Sequence, residues 1–218
     1  MKRVVGLLPT YNRPAMAHRA AHLWLEQDYA GPKTLLVFDD GEDPATFCPS
    51  CEPHIKIVHH ARTTLPHKRN AMMGLVGDED AIYFAWDDDD YHGPGRVRRQ
   101  VEALMGAPSG VGACLMSPML YYNEVSGELK LSTWRSDGNI AYTFDYWNRR
   151  NYDERVDPGS GWRFLAGRDH EIVAIAGELD CITVAHAGQR HTPPAFGLPD
   201  FTDAPVSAEW AAERLRLR

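Results

Sequence analysis

The chain has 218 residues, 44% hydrophobic and 24% charged, with a formal net charge of −7. That length suits one domain able to bury a sizeable core, and the charge excludes a surface that is basic in bulk, as nucleic-acid binding favours. No apolar run approaches the ~20 residues that span a bilayer; the opening "MKRVVGLLPTYNRP" lacks a small-residue cleavage site, so it reads as a first strand and the cytoplasm is the expected location.

The first 115 residues alternate strand and helix. "RVVGLL" (3–8), ended by Pro9, predicts a buried strand. In "NRPAMAHRAAHLWLEQ", Asn12 is placed to cap a helix and Pro14 to enter its first turn, with Met16, Ala20, Leu23 and Trp24 on one face. "KTLLVF" predicts a second strand stopped by "DDGEDP", and "HIKIVH" a shorter third. "LPHKRNAMMGLV" reads as a helix with Pro66 near its start. "AIYFAW", apolar throughout and rich in β-formers, predicts a central strand. Pro94 opens the helix "PGRVRRQVEALM", with Val97, Val101, Leu104 and Met105 as its buried stripe. This order predicts an α/β fold, an open and mainly parallel sheet with helices on both faces.

The second half differs. "ACLMSPMLYYN" and "ELKLSTW" flank the turn-like "EVSG" and predict an antiparallel pair. Residues 135–165 read mostly as loop, with a helix near 143–150. "RDHEIVAIAG" reads as a helix closed by Gly177, "LDCITVAH" as a final strand, and Ser207 begins a last helix. Cys114 and Cys181 lie in apolar runs and are expected as buried thiols. "CPSCEPH" leaves three readings open for Cys48 and Cys51: a zinc site with His54, a redox pair, or a plain loop.

Ligands of open parallel sheets bind beyond the carboxyl ends of the strands. Three polar clusters fall at such ends: Thr10, Tyr11 and Asn12; Asp39, Asp40 and Gly41; and Asp87, Asp88, Asp89 and Asp90. Four adjacent carboxylates cannot all ionise in a poorly hydrated place without a cation, and magnesium or manganese takes carboxylates together with substrate phosphates. On an extended segment Asp87 and Asp89 share a side, with Asp88 and Asp90 turned away. The competing reading is a solvated acidic loop, disfavoured by its place directly after a buried strand. The Gly and Glu offsets of a calcium loop are missing.

These motifs together resemble the family-2 glycosyltransferases of GT-A fold. "LLPTYNRP" matches their first strand and turn, and "VFDDGED" their acidic pair before glycine. "LPHKRNAMMG" matches their helix with a basic residue and Asn70, and "WDDDDYHGPGRV" their D-x-D-D followed by Pro94; the order holds over residues 3–105. The resemblance implies a single GT-A-like domain, with residues 1–115 binding a nucleotide sugar and 116–218 forming the acceptor side and a smaller antiparallel portion. It implies that Thr10, Tyr11 and Asn12 border the base and that Asp39 or Asp40 hydrogen-bonds it, uracil being expected. Lys68 or Arg69 would lie near the diphosphate, Asp87 would face the ribose or the metal, Asp88 would belong to the nucleotide-sugar site, and Asp89 would ligate Mn2+ or Mg2+. "GRDHEI" resembles the family's acidic pair, with Arg168 in place of the first acid; Asp169 is the implied catalytic base, with Asp145 and Glu171 in reserve. His186, or His191, would complete the metal site.

The expected activity is a metal-dependent, inverting transfer of one sugar from a nucleoside diphosphate sugar, since the Q-x-x-R-W motif of processive synthases is absent. A nucleotidyltransferase is the alternative enzyme, although "LPTYNRP" has no glycine for a phosphate loop; a non-catalytic nucleotide-sugar or glycan binder is the third reading. For the acceptor, Trp134, Tyr142, Tyr146, Trp147, Tyr152 and Trp162 stand among Arg135, Arg149, Arg150, Arg155 and Arg163. Such residues stack sugars or bases, so a glycan, a small molecule or a flipped-out modified DNA base would fit, as would ordinary core packing.

Overall fold

Strand β1 (Val4–Thr10) is buried along its whole length. Its alternate side chains serve two cores: Val4 and Leu8 enter one, Val5 and Leu7 the other. β2 (Lys33–Asp39) divides in the same way, Leu35 and Val37 against Leu36 and Phe38. So does β4 (Ile82–Ala85), with Ile82 and Phe84 opposed to Tyr83 and Ala85. An apolar run without alternation is what a parallel strand covered on both faces requires. The computed structural model describes residues 1–48, 53–157, 160–177, 180–185 and 201–215.

β1 pairs in parallel with β2 on one side and β4 on the other, and β2 pairs in parallel with β3 (Ile55–His59). The chain therefore leaves β1 in one direction and returns on its other flank, which places a topological switch at β1 and β4. Helices α1 (Pro14–Leu25) and α3 (Arg96–Gly106) cover one face through Ala17, Trp24, Val97 and Val101. The opposite face is covered by α2 (Leu65–Val76), α4 (Phe144–Arg149) and α5 (Ser160–Leu165) through Met72, Met73, Tyr146 and Phe164. Gly6 makes the α1 contact possible: a Cβ there would lie 2.8 Å from the Trp24 ring.

Seven strands form the main sheet, in the order β10-β6-β9-β4-β1-β2-β3. β6 is Ala113–Met116, β9 is Ile140–Thr143 and β10 is Ile172–Ile175. β9 runs antiparallel between β4 and β6, while β10 joins β6 in parallel. A second sheet has the order β12-β8-β7-β11-β5, built from β5 (Tyr91–His92), β7 (Met119–Asn123), β8 (Leu129–Ser132), β11 (Cys181–Ala185) and β12 (Phe201–Asp203). β7 and β8 form the expected antiparallel pair. Ser207 accepts from the Trp210 amide and begins α6 (Ala208–Leu215), as expected. No helix of the described residues is long and apolar enough to cross a membrane.

Several expectations are corrected. β1 continues through Pro9 to Thr10, because Pro9 lies opposite Phe38 and Thr10 opposite Asp39 in the parallel register. Asn12 does not cap α1; Arg13 holds that position with no side-chain bond, and Asn12 takes a left-handed backbone with φ 51°. Met105 is 60% exposed, beyond the buried stripe of α3. The run 113–123 breaks at Ser117 and Pro118 into strands of two different sheets. The 135–165 segment contains β9, inside the main sheet, and α5. "RDHEIVAIAG" is a 3-10 turn (Asp169–Glu171) followed by β10, not a helix. Its β-branched Ile172, Val173 and Ile175 favour an extended backbone, and Gly177 lies so near Met116 that a Cβ would sit 2.8 Å from it. β12 follows "LDCITVAH", which is therefore not the last strand. Cys114 and Cys181 are buried, and burial pushes both thiols up to about 12. Cys51 lies outside the described residues, so the C-x-x-C pair does too.

Candidate active site at the strand ends

Thr10 ends β1 beside Asp39, which ends β2. Beyond β4 the chain bends through residues 88–90, and burial alternates along the run: Asp88 and Asp90 are buried, Asp87 and Asp89 half-buried. The Thr10 hydroxyl donates to Asp88 Oδ2 at 2.7 Å. Arg13 donates to Asp88 Oδ1 at 3.2 Å and to Asp89 Oδ2 at 3.0 Å. Arg19 fixes the backbone of the run through the carbonyls of Asp88 and Asp90. Asp90 turns away to accept from the Val184 amide and the Thr183 hydroxyl of β11, which ties the run to the second sheet.

Burial first, and the Asp89 charge second, push the Asp88 carboxyl up to about 6. Burial, Asp89 and Asp87 raise Asp90 well above the usual carboxylate range. Beneath the run, Arg96 donates to His92 Nδ1 and to the Ala85 carbonyl. His92 Nε2 then faces the Asp87 carbonyl at 3.2 Å, and burial followed by the Arg96 charge holds the imidazole neutral.

On the other flank, Arg69 of α2 donates to both Asp87 oxygens, at 3.0 and 3.2 Å, and pairs with Asp137. Its guanidinium lies over the Tyr152 ring, 5.2 Å from the centroid. Lys68 pairs with Asp40 and donates to the Thr10 carbonyl at 2.7 Å. Burial is the leading reason its ammonium falls below the usual lysine range.

The second acidic pair is engaged within its own chain. Asp39 accepts the amides of Gly41 and Ala45, each at 2.8 Å. Asp40 accepts from Arg62 through both oxygens and from the Thr63 amide. Arg62 also stacks on Tyr11, 3.5 Å from the ring centroid. Asn12 Oδ1 accepts the amides of Glu42 and Asp43, which fixes the loop after β2. Gly41 permits that close approach, since a Cβ would lie 2.6 Å from the Asn12 nitrogen.

The structure thus brings Thr10, Tyr11, Asp40, Lys68, Arg69, Asp87, Asp88 and Asp89 to one sheet edge. Asp169 stands exposed at the start of its 3-10 turn, paired with Arg135, two residues before Asp137. It caps no α-helix. Glu171 is buried against Arg168 and Arg149, and Arg168 is itself buried, donating to the Tyr146 carbonyl. His186 and His191 lie outside the described residues. Sequence reasoning missed Arg13, Arg62 and Asp137. Arg13 stood inside the quoted P-T-Y-N-R motif; Arg62 and Asp137 sit in loops with no periodic signal.

No family model matches the chain, and no curated protein does. Solved structures do. S. aureus TarS 1-349 in complex with UDP superposes with a TM-score of 0.62 at 14% identity, over 85% of this chain and 61% of that one. The mannosyltransferase PcManGT from Pyrobaculum calidifontis, in complex with GDP-Man and Mn2+, gives 0.56 at 18%, over 87% and 58%. Glucosyl-3-phosphoglycerate synthase from Mycobacterium tuberculosis, in complex with phosphoglyceric acid, gives 0.55 at 12%, over 88% and 73%. This chain has the GT-A glycosyltransferase fold. It spans about three fifths of the length of the first two structures. In the GT-A fold seen here, the carboxylate run and the basic residues of α2 meet where β1 and β4 end.

Proposed function

We propose that this chain transfers one sugar, with inversion, from a nucleoside diphosphate sugar to an acceptor hydroxyl, aided by Mn2+ or Mg2+, and that the donor is a UDP-sugar. The carrying observation is the crowded carboxylate run flanked by Arg13, Lys68 and Arg69 at the switch point of a GT-A sheet. The UDP in TarS and the GDP-Man and Mn2+ in PcManGT belong to those proteins; they support a donor of this class.

The residues fit a hard divalent ion. The raised carboxyls of Asp88 and Asp90 reflect burial and crowding that Arg13 and Arg96 do not fully relieve, and the carboxylate oxygens of Asp87 and Asp89 suit magnesium or manganese. Asp89, with Asp87 beside it, would hold the ion, and His186 is the remaining expected ligand. Among the described residues no group of three His, Cys, Asp or Glu side chains is placed to hold an ion; magnesium and manganese commonly take one or two carboxylates together with substrate phosphates. When bound, the ion offsets charge on the departing nucleoside diphosphate.

The chain's own groups account for the rest. Tyr11, with Arg62 on its ring, borders the base, while Asp39 or Asp40 hydrogen-bonds it from the loops that they also fix. Lys68 and Arg69, oriented by Asp40 and Asp87, meet the phosphates. Asp169 takes the acceptor proton as the hydroxyl oxygen bonds to the anomeric carbon. The bond to the diphosphate oxygen breaks in the same event, its electron pair leaving with the nucleoside diphosphate through an oxocarbenium-like state. Thermal unfolding with UDP, GDP and their sugars, with Mn2+ or with chelator, tests the reading. A nucleotide that binds the folded chain raises its melting temperature, and the rise should need the ion. Absence of any nucleotide-dependent rise with either metal sinks the proposal.

A further inference from the structure

The aromatic residues of the second half divide sharply. Tyr142, Tyr146 and Tyr152 are buried in the core, whereas Trp162 is 68% exposed. Trp162 lines a cleft of about 770 Å3 together with Asn70, Arg150, Asp153, Arg155 and Arg163. These polar groups are linked by hydrogen bonds, and Glu154 in the same lining accepts from Asn70. Arg155 donates to both oxygens of Asp153, at 2.9 and 3.1 Å, and Arg163 adds a third bond at 2.8 Å. Arg150 donates to the carbonyls of Arg163 and Ala166. Asn70 fixes the opposite wall by donating to the Tyr152 carbonyl and accepting its amide.

We propose that this cleft binds a neutral carbohydrate, the sugar unit of the acceptor, stacked on the Trp162 indole; the acceptor role rests on the glycosyltransferase reading above. The C–H face of a pyranose is apolar and complements the electron-rich face of an indole. Its neighbouring hydroxyls both donate and accept, and the linked Asp153, Arg155 and Arg163 present acceptors and donors beside one another. Three arginines share the lining with two carboxylates, Asp153 and Glu154, so little net positive charge remains for a phosphate backbone, whose binding depends on it. The cleft also abuts the strand-end site. Asn70 follows Arg69 on α2, and Gly161, next to Trp162, packs directly on the Asp137 carboxylate that pairs with Arg69.

The test uses the full chain labelled with 5-fluorotryptophan, the Trp162 fluorine signal being assigned by its loss in Trp162→Ala. Methyl glycosides of glucose, galactose, mannose and N-acetylglucosamine, with maltose, cellobiose, lactose and chitobiose, are titrated to millimolar concentration. At least one should move the Trp162 signal saturably. Saccharide affinity, followed by calorimetry, should fall about tenfold or more in Trp162→Ala and largely survive in Trp162→Tyr. UDP binding with Mn2+, read as a thermal shift on the same samples, should not change in either variant. The inference is overturned if no saccharide moves the signal, if an oligothymidylate moves it and saccharides do not, or if Trp162→Ala binds saccharide as tightly as the parent. Silent saccharides with intact UDP binding reject the cleft alone. Saccharide binding without any nucleotide binding rejects the acceptor role and the glycosyltransferase reading together.

Discussion

Two acidic corners stand on the same sheet edge and are built in opposite ways. At the end of β2, Asp39 and Asp40 are buried and fully engaged by amides, Arg62 and Lys68. After β4, residues 87–90 are crowded: Asp88 and Asp90 are raised by burial and by their neighbours, and Asp87 and Asp89 stay half-buried. A carboxylate matched by its own chain supports the fold, and replacing it should harm folding. A carboxylate crowded by others is suited to a cationic ligand, and replacing it should harm function.

The largest expected effect is at the matched corner. Asp40→Ala strands the buried Lys68 ammonium and the Arg62 guanidinium, and removing one partner of a buried pair costs about 3–5 kcal/mol. Urea unfolding at pH 7 should show a loss of that order; a loss below about 1 kcal/mol would erase the contrast. Asp89→Asn is the converse. Its partner Arg13 is partly exposed, so stability should change by less than about 1 kcal/mol. Sugar transfer should fall by about 100-fold or more, the scale of losing one electrostatic contact to a transition state. Transfer at the parental rate would remove Asp89 from the site.

Gly138→Ala probes the crowded corner without touching its charges. A Cβ there would lie 2.6 Å from Asp87 Oδ2, so the carboxylate must shift against Arg69. Misplacing a positioned group should lower the transfer rate about tenfold while the fold survives. An unchanged rate would mean that the Asp87 position is immaterial.

The contrast itself was only half legible in the sequence. Period-two alternation past a buried strand was enough to separate Asp87 and Asp89 from Asp88 and Asp90, and the β-α-β order was enough to place the corners on one edge. The partners at either corner were not visible, because Arg62 reaches Asp40 from a loop and Arg13 meets Asp88, which lies 75 positions further along the chain. Spacing along a chain carries no trace of such pairs. The second half hid more for the same reason. "IAYT" is four residues long and becomes a main-sheet strand only because β4 and β6 both pair with it. The closing glycine of "EIVAIAG" suggests a helix, but its β-branched residues favour a strand, and the partner that pairs with it, β6, lies more than fifty residues upstream.

The smallest expected effect concerns what each corner rests on. Asp40 rests on cations alone among side chains, whereas the 87–90 run, besides its Arg13 and Arg69 partners, has a neutral support beneath its backbone: His92, whose Nε2 faces the Asp87 carbonyl and whose Nδ1 receives Arg96. That arrangement needs a neutral ring, and burial followed by Arg96 depresses its pKa well below the ordinary value near 6.5. Between the depressed value and about 6.5 the unfolded chain binds a proton that the folded chain refuses. Stability from this group is therefore full above pH 6.5 and declines as the pH falls, by up to about 1.4 kcal/mol per pH unit. Asp88, raised to about 6, acts in the opposite sense, favouring the folded chain more at lower pH. Only the difference between parent and variant isolates the imidazole. Between pH 6.5 and 5.5 the parent should lose about 1 kcal/mol more than His92→Gln in urea unfolding. Parallel curves for the two proteins would mean that the ring charges without cost, and that the acidic run does not depend on a neutral support.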